Sequence, residues 1–278
     1  MMTAIEPAGG FNHPLPVGYP FLESNYSTDP GMARPFKKFF PTLFFYKEMF
    51  NIVYRSSKLA EAGAFTSALW TDASLGIVRS LEGVGGRFEI EGTDNFKKIN
   101  GPCVFIGNHM STLETFVLPC LIEPIREVTF VVKHQLVDMP IFGHIMRSRK
   151  PVVVGRANPR EDLATVLEEG TARLRENISV VVFPQSTRSV KLDPKLFNTI
   201  GVKLAKKAGV PVVPVALKTN AWGMGMFVKD FGRIAPKRTV HFRFGEPMII
   251  TDNGKRQHAE IYSFIQNSLD EWEQCDAG

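Results

Sequence analysis

The sequence predicts an α/β fold: a mixed, mainly parallel sheet covered by helices and preceded by an N-terminal helical hairpin. From residue 87 onwards, short apolar segments such as "PCVFIG" and "ISVVVFP" alternate with amphipathic segments, which is typical of strand–helix units. The apolar segments carry almost no polar residues, as expected for strands buried on both faces of a parallel sheet. A chain of 278 residues is long enough for one such domain and an appendage.

Composition divides the chain into three parts. Residues 1–35 are rich in Pro, Gly, Asn and Ser and predict an irregular arm. Residues 36–84 predict the helical hairpin, and residues 85–278 predict the α/β domain.

The first helix of the hairpin has an unusual composition. Residues 36–60 contain six phenylalanines, five basic residues and one acidic residue, and Pro41 suits the first turn of a helix. One helical face is expected to carry Phe36, Phe40, Leu43, Phe50 and Tyr54. A basic, Phe-rich helix is typical of a segment lying in a membrane interface. A helix packed on the core with solvated lysines fits the local pattern equally well.

The α/β domain is expected to contain the following elements. Strands are predicted at "RFEIEG", "PCVFIG", "EVTFVVK", "PVVVG", "ISVVVFP", "VPVVPVAL" and "RTVHFRFGEP". Helices are predicted at "TLETFVLPCLIE", "MPIFGHIMR", "REDLATVLEEGTARLRE", "PKLFNTIGVKLAKKAG" and residues 255–273. Pro119 is expected to bend or end the first of these helices.

Charge and cysteine content exclude several classes of protein. A formal charge of +5 fits a protein that binds a membrane surface, a phosphate ester or nucleic acid. The chain has no block of like charges of the kind that favours nucleic-acid binding. Three cysteines without a C-x-x-C pair indicate reduced thiols and no cysteine-based zinc site. Neither a signal peptide nor an 18-residue apolar stretch is recognisable.

The chemically informative residues follow the predicted strands. In sheets of this class, ligands bind beyond the carboxyl ends of the strands. His109 and Glu114 follow "PCVFIG", Lys133 ends "EVTFVVK", Arg156 follows "PVVVG", and Arg188 follows "ISVVVFP". We therefore expect a histidine, a glutamate and three basic residues to meet at one edge of the sheet.

His109 and Glu114 form a candidate catalytic pair. The stretch from Ser111 to Glu114 fits a capping box, which turns the glutamate back towards the loop that holds His109. A carboxylate there can orient one imidazole nitrogen and leave the other as a base. Capping alone for Glu114 and a structural role for His109 remain alternatives.

Four motifs resemble those of the glycerolipid acyltransferases, the family of bacterial 1-acylglycerol-3-phosphate acyltransferase. "NHMSTLE" resembles the family's NHxxxx(D/E) motif, "VVVGR" its second, "FPQSTRS" its third, FPEGTRS, and "VPVVPVAL" its fourth. The motifs occur in the family's order within residues 85–220. The N-terminal hairpin also resembles the family's membrane-docking hairpin.

The resemblance implies transfer of a fatty acyl group from a thioester of acyl carrier protein or coenzyme A to a lysophospholipid hydroxyl. His109 would act as general base and Glu114 would orient it. The only co-substrate implied is the acyl thioester; no cofactor and no metal are implied. The resemblance also implies a peripheral or monotopic protein on an anionic membrane surface, at the cytoplasmic face of the cell membrane.

The resemblance further implies a site for the acceptor's phosphate. The candidate substrate-binding residues are Lys133, Arg156, Gln185, Ser186, Thr187 and Arg188. The family's FPEGTRS reads FPQSTRS here, so Gln185 replaces a glutamate and Ser186 a glycine. This change leaves three readings open: the usual acceptor, a lyso-aminolipid with a carboxylate head group, and a catalytically silent lipid-binding homologue.

Overall fold

A computed structural model describes residues 11–155, 157–185, 187–225 and 229–277. Within these residues the chain forms one eight-stranded sheet with helices on both faces. The strands are β1 (Tyr26–Ser27), β2 (Arg87–Glu91), β3 (Val104–Gly107), β4 (Val128–Lys133), β5 (Val152–Val154), β6 (Ser179–Val182), β7 (Val212–Lys218) and β8 (Thr239–Phe244). The helices are α1 (Pro41–Glu61), α2 (Ser67–Gly83), α3 (Thr93–Lys97), α4 (Leu113–Ile122), α5 (His134–Asp138), α6 (Phe142–Ser148), α7 (Pro159–Arg175), α8 (Ile200–Ala208) and α9 (Lys255–Ala277).

The sheet is mainly parallel, as the sequence predicts. Its strand order is β1-β2-β8-β7-β3-β6-β4-β5, and the β1–β2 and β7–β8 pairs are antiparallel. The pairs that involve β3, β4, β5 and β6 are all parallel. The carboxyl ends of β3, β6 and β4 therefore lie side by side at one edge of the sheet.

Both faces of the central strands are buried. Along β3, Phe105 packs into one hydrophobic cluster, whereas Val104 and Ile106 pack into the cluster on the other face. The first cluster lies under α1, α2 and α4, and the second under α7, α8 and α9. This arrangement explains the continuous apolar runs in the sequence, since every side chain of such a strand needs an apolar environment.

The helical hairpin consists of α1 and α2. Pro41 occupies the first position of α1, where its missing N–H costs no hydrogen bond. The expectation that Phe36 shares the α1 face is wrong, because Phe36 lies in a separate 3₁₀ turn, Pro35–Phe39. Pro41 disfavours the helical conformation in the residue before it, Phe40. The 3₁₀ turn therefore ends before Phe40, and α1 begins at Pro41.

The helix α4 continues through Pro119 because a neighbouring side chain replaces the disturbed backbone bond. The N–H of Cys120 donates to the Ser74 hydroxyl at 2.9 Å, and that hydroxyl donates in turn to the carbonyl of Phe116 at 2.5 Å. Ser74 thus bridges the two groups that an undisturbed helix would pair directly. The proline, which the sequence expects to bend or end this helix, is tolerated inside it.

The helix α8 begins later than the sequence predicts. Side chains of Asp193 and Asn198 accept the backbone N–H groups of Lys195 and Ile200, at 2.9 Å in both cases. Such local bonds compete with helix formation, so the helix starts only at Ile200.

The described part of the N-terminal arm, residues 11–35, is attached to the domain. Its strand β1 pairs with β2, and the side chains of Tyr19 and Phe21 are buried in the core. The Tyr19 hydroxyl donates to the carbonyl of Cys120 at 2.7 Å. In the described ranges, no helix has the length and hydropathy needed to cross a membrane.

Candidate active site

The register of the central strands brings the candidate residues together. Phe105 of β3 pairs with Val181 of β6, and Val181 pairs with Phe130 of β4. His109 lies four residues after Phe105, and Gln185 lies four residues after Val181. The two residues therefore leave the sheet at the same level along the strand direction. The backbone N–H of His109 accordingly donates to Oε1 of Gln185 at 2.8 Å.

His109 and Glu114 are in direct contact. Nδ1 of His109 lies 2.9 Å from Oε1 of Glu114. The imidazole also stacks on the Phe183 ring, with centroids 4.5 Å apart and an interplanar angle of 9°. His109 is therefore held by a hydrogen bond at one edge and by an aromatic ring against one face.

Glu114 is fully buried and accepts hydrogen bonds from the loop that carries His109. The backbone N–H groups of Met110 and Ser111 donate to its Oε1 at 2.7 and 2.9 Å. The Ser111 hydroxyl accepts the N–H of Leu113 at 3.0 Å, one residue before the N–H that a capping box uses, and α4 begins at Leu113 with Thr112 preceding it. Glu114 nevertheless turns back towards the loop, as the sequence predicts.

The pKa of the Glu114 carboxyl is low despite its burial. Burial acts to raise its pKa, but the hydrogen bond from His109, the charge of His109 and the Thr219 hydrogen bond together hold the pKa below its ordinary value. A charge buried without such donors would be strongly unfavourable. Glu114 is thus suited to hold the Nδ1–H tautomer of His109, which leaves Nε2 able to accept a proton.

Sequence reasoning missed Asn108 and Thr219, both of which tie the site to β7. The Asn108 amide donates to the carbonyl of Leu217 at 2.8 Å and accepts the N–H of Leu217 at 2.9 Å. Thr219 donates to Oε2 of Glu114 and accepts from Ser111 at 2.9 Å. The position of Thr219 directly after a strand was the available signal, but the sequence does not reveal that β7 neighbours β3.

Gln185 is buried, with 1% of its surface exposed, and its amide has a hydrogen-bond partner on one side. Its Oε1 must be the atom that faces the His109 N–H, because that group can only donate. The remaining amide nitrogen, Nε2, is buried and has no hydrogen-bond partner among the residues that the structure describes. A glutamate in this place would accept the same bond but would add a negative charge beside His109.

Arg188 contacts an acidic residue, Asp230, that the sequence did not predict to belong to the site. Its Nη1 lies 2.5 Å from Oδ1 of Asp230 and also donates to the hydroxyl of Thr112. Thr112 donates to the same carboxylate oxygen at 3.2 Å. Because Thr112 lies two residues before Glu114, this cluster connects Arg188 to the loop that carries the His109–Glu114 pair.

Two of the other predicted substrate-binding residues, Lys133 and Thr187, lie within the described part of the chain. Lys133 ends β4 at the same edge as His109 and is half-buried. Thr187 is exposed. Arg156 and Ser186, which were also predicted to bind substrate, lie outside the described residues.

A small apolar cavity of about 30 Å³ lies between α1, α2, α4 and α6. It begins one residue beyond Glu114 along α4, and its lining includes Thr115, Phe116, Phe142, Trp70, Ile52 and Met146. The lining suits hydrocarbon, but the volume admits only a few atoms, so side chains would have to move for an acyl chain to enter.

Across the described stretches, no three His, Cys, Asp or Glu side chains are grouped closely enough to hold a metal ion. Cys103 and Cys120 are buried thiols, and burial raises their pKa values to about 11 and about 12. Neither thiol is therefore suited to act as a nucleophile near neutral pH.

The chain is similar in sequence to known acyltransferases. Residues 87–218 match a family model described as Acyltransferase. Over 192 residues, covering 69% of this chain and 70% of the relative, the sequence is 30% identical to a 1-acyl-sn-glycerol-3-phosphate acyltransferase of Pseudomonas aeruginosa. It is also 31% identical over 131 residues to the chloroplastic BAT2 enzyme of Brassica napus, across 46% of this chain and 36% of that one.

A solved structure supports the fold. The crystal structure of PlsC, the 1-acyl-sn-glycerophosphate acyltransferase of Thermotoga maritima, superposes with a TM-score of 0.63 at 18% identity, covering 86% of this chain and 97% of that one. The predicted α/β architecture is therefore confirmed. Sequence similarity across two thirds of both chains shows that this protein belongs to the glycerolipid acyltransferase family, whose members include the 1-acyl-sn-glycerol-3-phosphate acyltransferases.

Proposed function

We propose that this protein transfers a fatty acyl group from an acyl thioester to the hydroxyl of a lysophospholipid of the lysophosphatidic acid type. The observation that carries the proposal is the 2.9 Å contact between Nδ1 of His109 and the buried, ionised Glu114. The names of the curated relatives, 1-acyl-sn-glycerol-3-phosphate acyltransferases, supply the acceptor class.

The reaction needs one base that works twice. Nε2 of His109 takes the proton from the acceptor hydroxyl as its oxygen attacks the thioester carbonyl. When the tetrahedral intermediate collapses, the carbon–sulfur bond breaks and the leaving thiolate takes the proton from His109. The products are the new ester and the free thiol of the carrier, and no acyl-enzyme is formed.

Glu114 supports both steps without changing its own charge. Its carboxylate holds Nδ1–H of His109 and stabilises the imidazolium that forms after the first proton transfer. Since Glu114 also accepts from the backbone of Met110 and Ser111, the orientation of this pair depends on the loop rather than on a freely rotating side chain.

The acceptor's phosphate is assigned to Arg188 and Lys133. A guanidinium carries five N–H donors, so Arg188 can keep Asp230 through Nη1 and still offer other donors to a phosphate. Lys133 ends the strand two places from β3 in the sheet. The acyl group would arrive on acyl carrier protein or coenzyme A.

Membrane association is part of the proposal and is supported by the exposed face of α1 and the turn before it. The exposed fractions of Phe39, Phe40 and Leu43 are 77%, 60% and 65%. The same helix exposes Lys47 and Arg55, whereas Phe45 is buried against the core. Exposed aromatic residues beside basic residues suit an anionic membrane interface, which we place at the cytoplasmic face of the cell membrane.

His109→Ala should abolish acyl transfer. Without the base, release of free thiol from an acyl thioester in the presence of lysophosphatidic acid should fall ~10²- to 10⁴-fold. The release is followed with a chromogenic thiol reagent, and the exposed Cys275 of the enzyme provides a constant background.

The matched control for this experiment is His134→Ala. His134 is an exposed histidine at the first position of α5 that pairs with Asp138, and its removal should leave the rate unchanged. Retained activity in folded His109→Ala would refute the mechanism. Membrane binding without thiol release for any lysolipid would favour the silent homologue.

Gln185→Glu should shift the pH dependence of the reaction. The carboxylate would still accept the backbone N–H of His109, but its negative charge would stabilise the imidazolium. As the pH falls, the neutral imidazole that acts as the base would therefore be lost at a higher pH than in the unmodified enzyme. The acid limb of the kcat/KM profile should therefore move upwards by about 1 pH unit, the lower end of the effect of a nearby opposite charge.

The control is Gln274→Glu, which adds the same charge at an exposed position of α9. Its profile should match that of the unmodified enzyme. An unshifted acid limb in Gln185→Glu, or the same shift in both variants, would show that a charge at position 185 has no specific effect on His109.

Replacing Phe39 and Phe40 by serine should weaken binding to anionic liposomes. Both side chains are largely exposed, so their loss removes apolar contact with the bilayer and not core packing. Bound protein is measured by co-sedimentation at about 0.1 M and about 1 M salt, between which screening of charge increases strongly.

Ile249→Ser is the control for this experiment. Ile249 is 65% exposed, and its neighbours Met248 and Ile250 pack on the hydrophobic cluster on the other face of the sheet from α1. Equal losses in both variants, or no binding by the unmodified protein, would refute the α1 docking surface; salt-insensitive binding would indicate purely apolar insertion.

A further inference from the structure

The connection between β7 and β8 contains a second exposed surface beside α1. Trp222 and Ile234 form an antiparallel bridge, and the N–H of Gly223 donates to the carbonyl of Arg233 at 3.0 Å. We call this segment the 222–234 hairpin; the structure describes its residues 222–225 and 229–234. We propose that the 222–234 hairpin is a second contact with an anionic bilayer, made through Phe231 and the basic residues Lys229 and Arg233.

The hairpin is held firmly against α1. The Tyr46 hydroxyl donates to the carbonyl of Gly232 at 2.6 Å, and the N–H of Ile234 donates to the hydroxyl of Thr42 at 3.1 Å. A Cβ at Gly232 would lie only 1.8 Å from the carbonyl oxygen of Gly223, so the two arms cross too closely for any other residue there. These bonds attach the second arm of the hairpin, residues 229–234, to α1.

Phe231 continues the exposed aromatic surface of α1. Its ring centroid lies 5.5 Å from that of Phe50 and 5.8 Å from that of Tyr46. Phe231 nevertheless remains 44% exposed, and Phe50 is 51% exposed. Two neighbouring aromatic side chains from different elements thus face solvent together, although burial would be favourable for both.

The charges beside Phe231 define the partner. Lys229 and Arg233 lie on either side of it in the chain and are both exposed. An aromatic side chain flanked by basic residues matches the interface of an anionic bilayer, where the ring enters the acyl boundary and the cations meet lipid head groups. An uncharged apolar partner would give these cations no counterpart.

The location of the hairpin fits the chemistry of the site. Asp230, which directly precedes Phe231, contacts Arg188 at 2.5 Å. If Phe231 enters the bilayer, Arg188 lies close to the level of the lipid head groups. A lysolipid could then present its anionic head group to Arg188 while its chain remains near the membrane.

The inference rests on the membrane association in the proposed function, and tryptophan substitutions test the two separately. Phe231→Trp, Phe40→Trp and Ile249→Trp are compared on vesicles of phosphatidylglycerol and phosphatidylcholine with brominated chains, which quench inserted tryptophan. Trp70, Trp222 and Trp272 are buried and provide a background that the unmodified protein measures.

We expect the added emission of Phe231→Trp to be quenched as strongly as that of Phe40→Trp, and that of Ile249→Trp to be unaffected. Quenching at position 40 but not at 231 would overturn the hairpin contact and leave α1 docking intact. Quenching at neither position would overturn both.

A separate experiment tests whether the basic residues of the hairpin contribute to binding. Lys229→Glu combined with Arg233→Glu should lower the fraction bound to anionic vesicles several-fold and leave binding to pure phosphatidylcholine unchanged. The pair Lys206→Glu and Lys207→Glu on α8, whose lysines are equally exposed, controls for net charge. An equal loss in both pairs would show that only the overall charge matters and would contradict a specific contact.

Discussion

The buried carboxylate of Glu114 is the constraint on which the site depends. A buried anion is tolerated only where donors surround it, and here they come from two parts of the chain. His109 and the backbone of Met110 and Ser111 belong to the loop between β3 and α4, whereas Thr219 comes from the end of β7. Satisfying Glu114 therefore shapes this loop and orients the imidazole at the same time.

The order of the strands in the sheet brings these hydrogen-bond donors together. Because β3 lies between β7 and β6, the loop after β3 is attached on one side through Asn108 and Leu217, and on the other through Gln185. Arg188 extends the arrangement outwards through Thr112 and Asp230. The candidate base, its carboxylate and the residue assigned to the head group are thus parts of one hydrogen-bonded assembly.

Much of this arrangement follows from local sequence. The apolar runs predict the strands, and the capping box directs Glu114 towards His109, because both signals depend on neighbours in the chain. The roles of Thr219 and Asp230 depend on which strands adjoin and how a hairpin docks on α1, which local patterns do not encode. The continuation of α4 through Pro119 depends likewise on Ser74, 45 positions earlier in the chain.

The tautomer of His109 decides whether the His109–Glu114 pair can act as a base. Nitrogen-15 NMR of imidazole-labelled protein, compared with His109→Ala for assignment, reports which ring nitrogen carries the proton. We expect neutral His109 to be protonated at Nδ1, facing Glu114, with Nε2 unprotonated and able to accept the acceptor's proton. Protonation at Nε2 of the neutral ring would contradict it, since the only contact of Glu114 with the imidazole is through Nδ1.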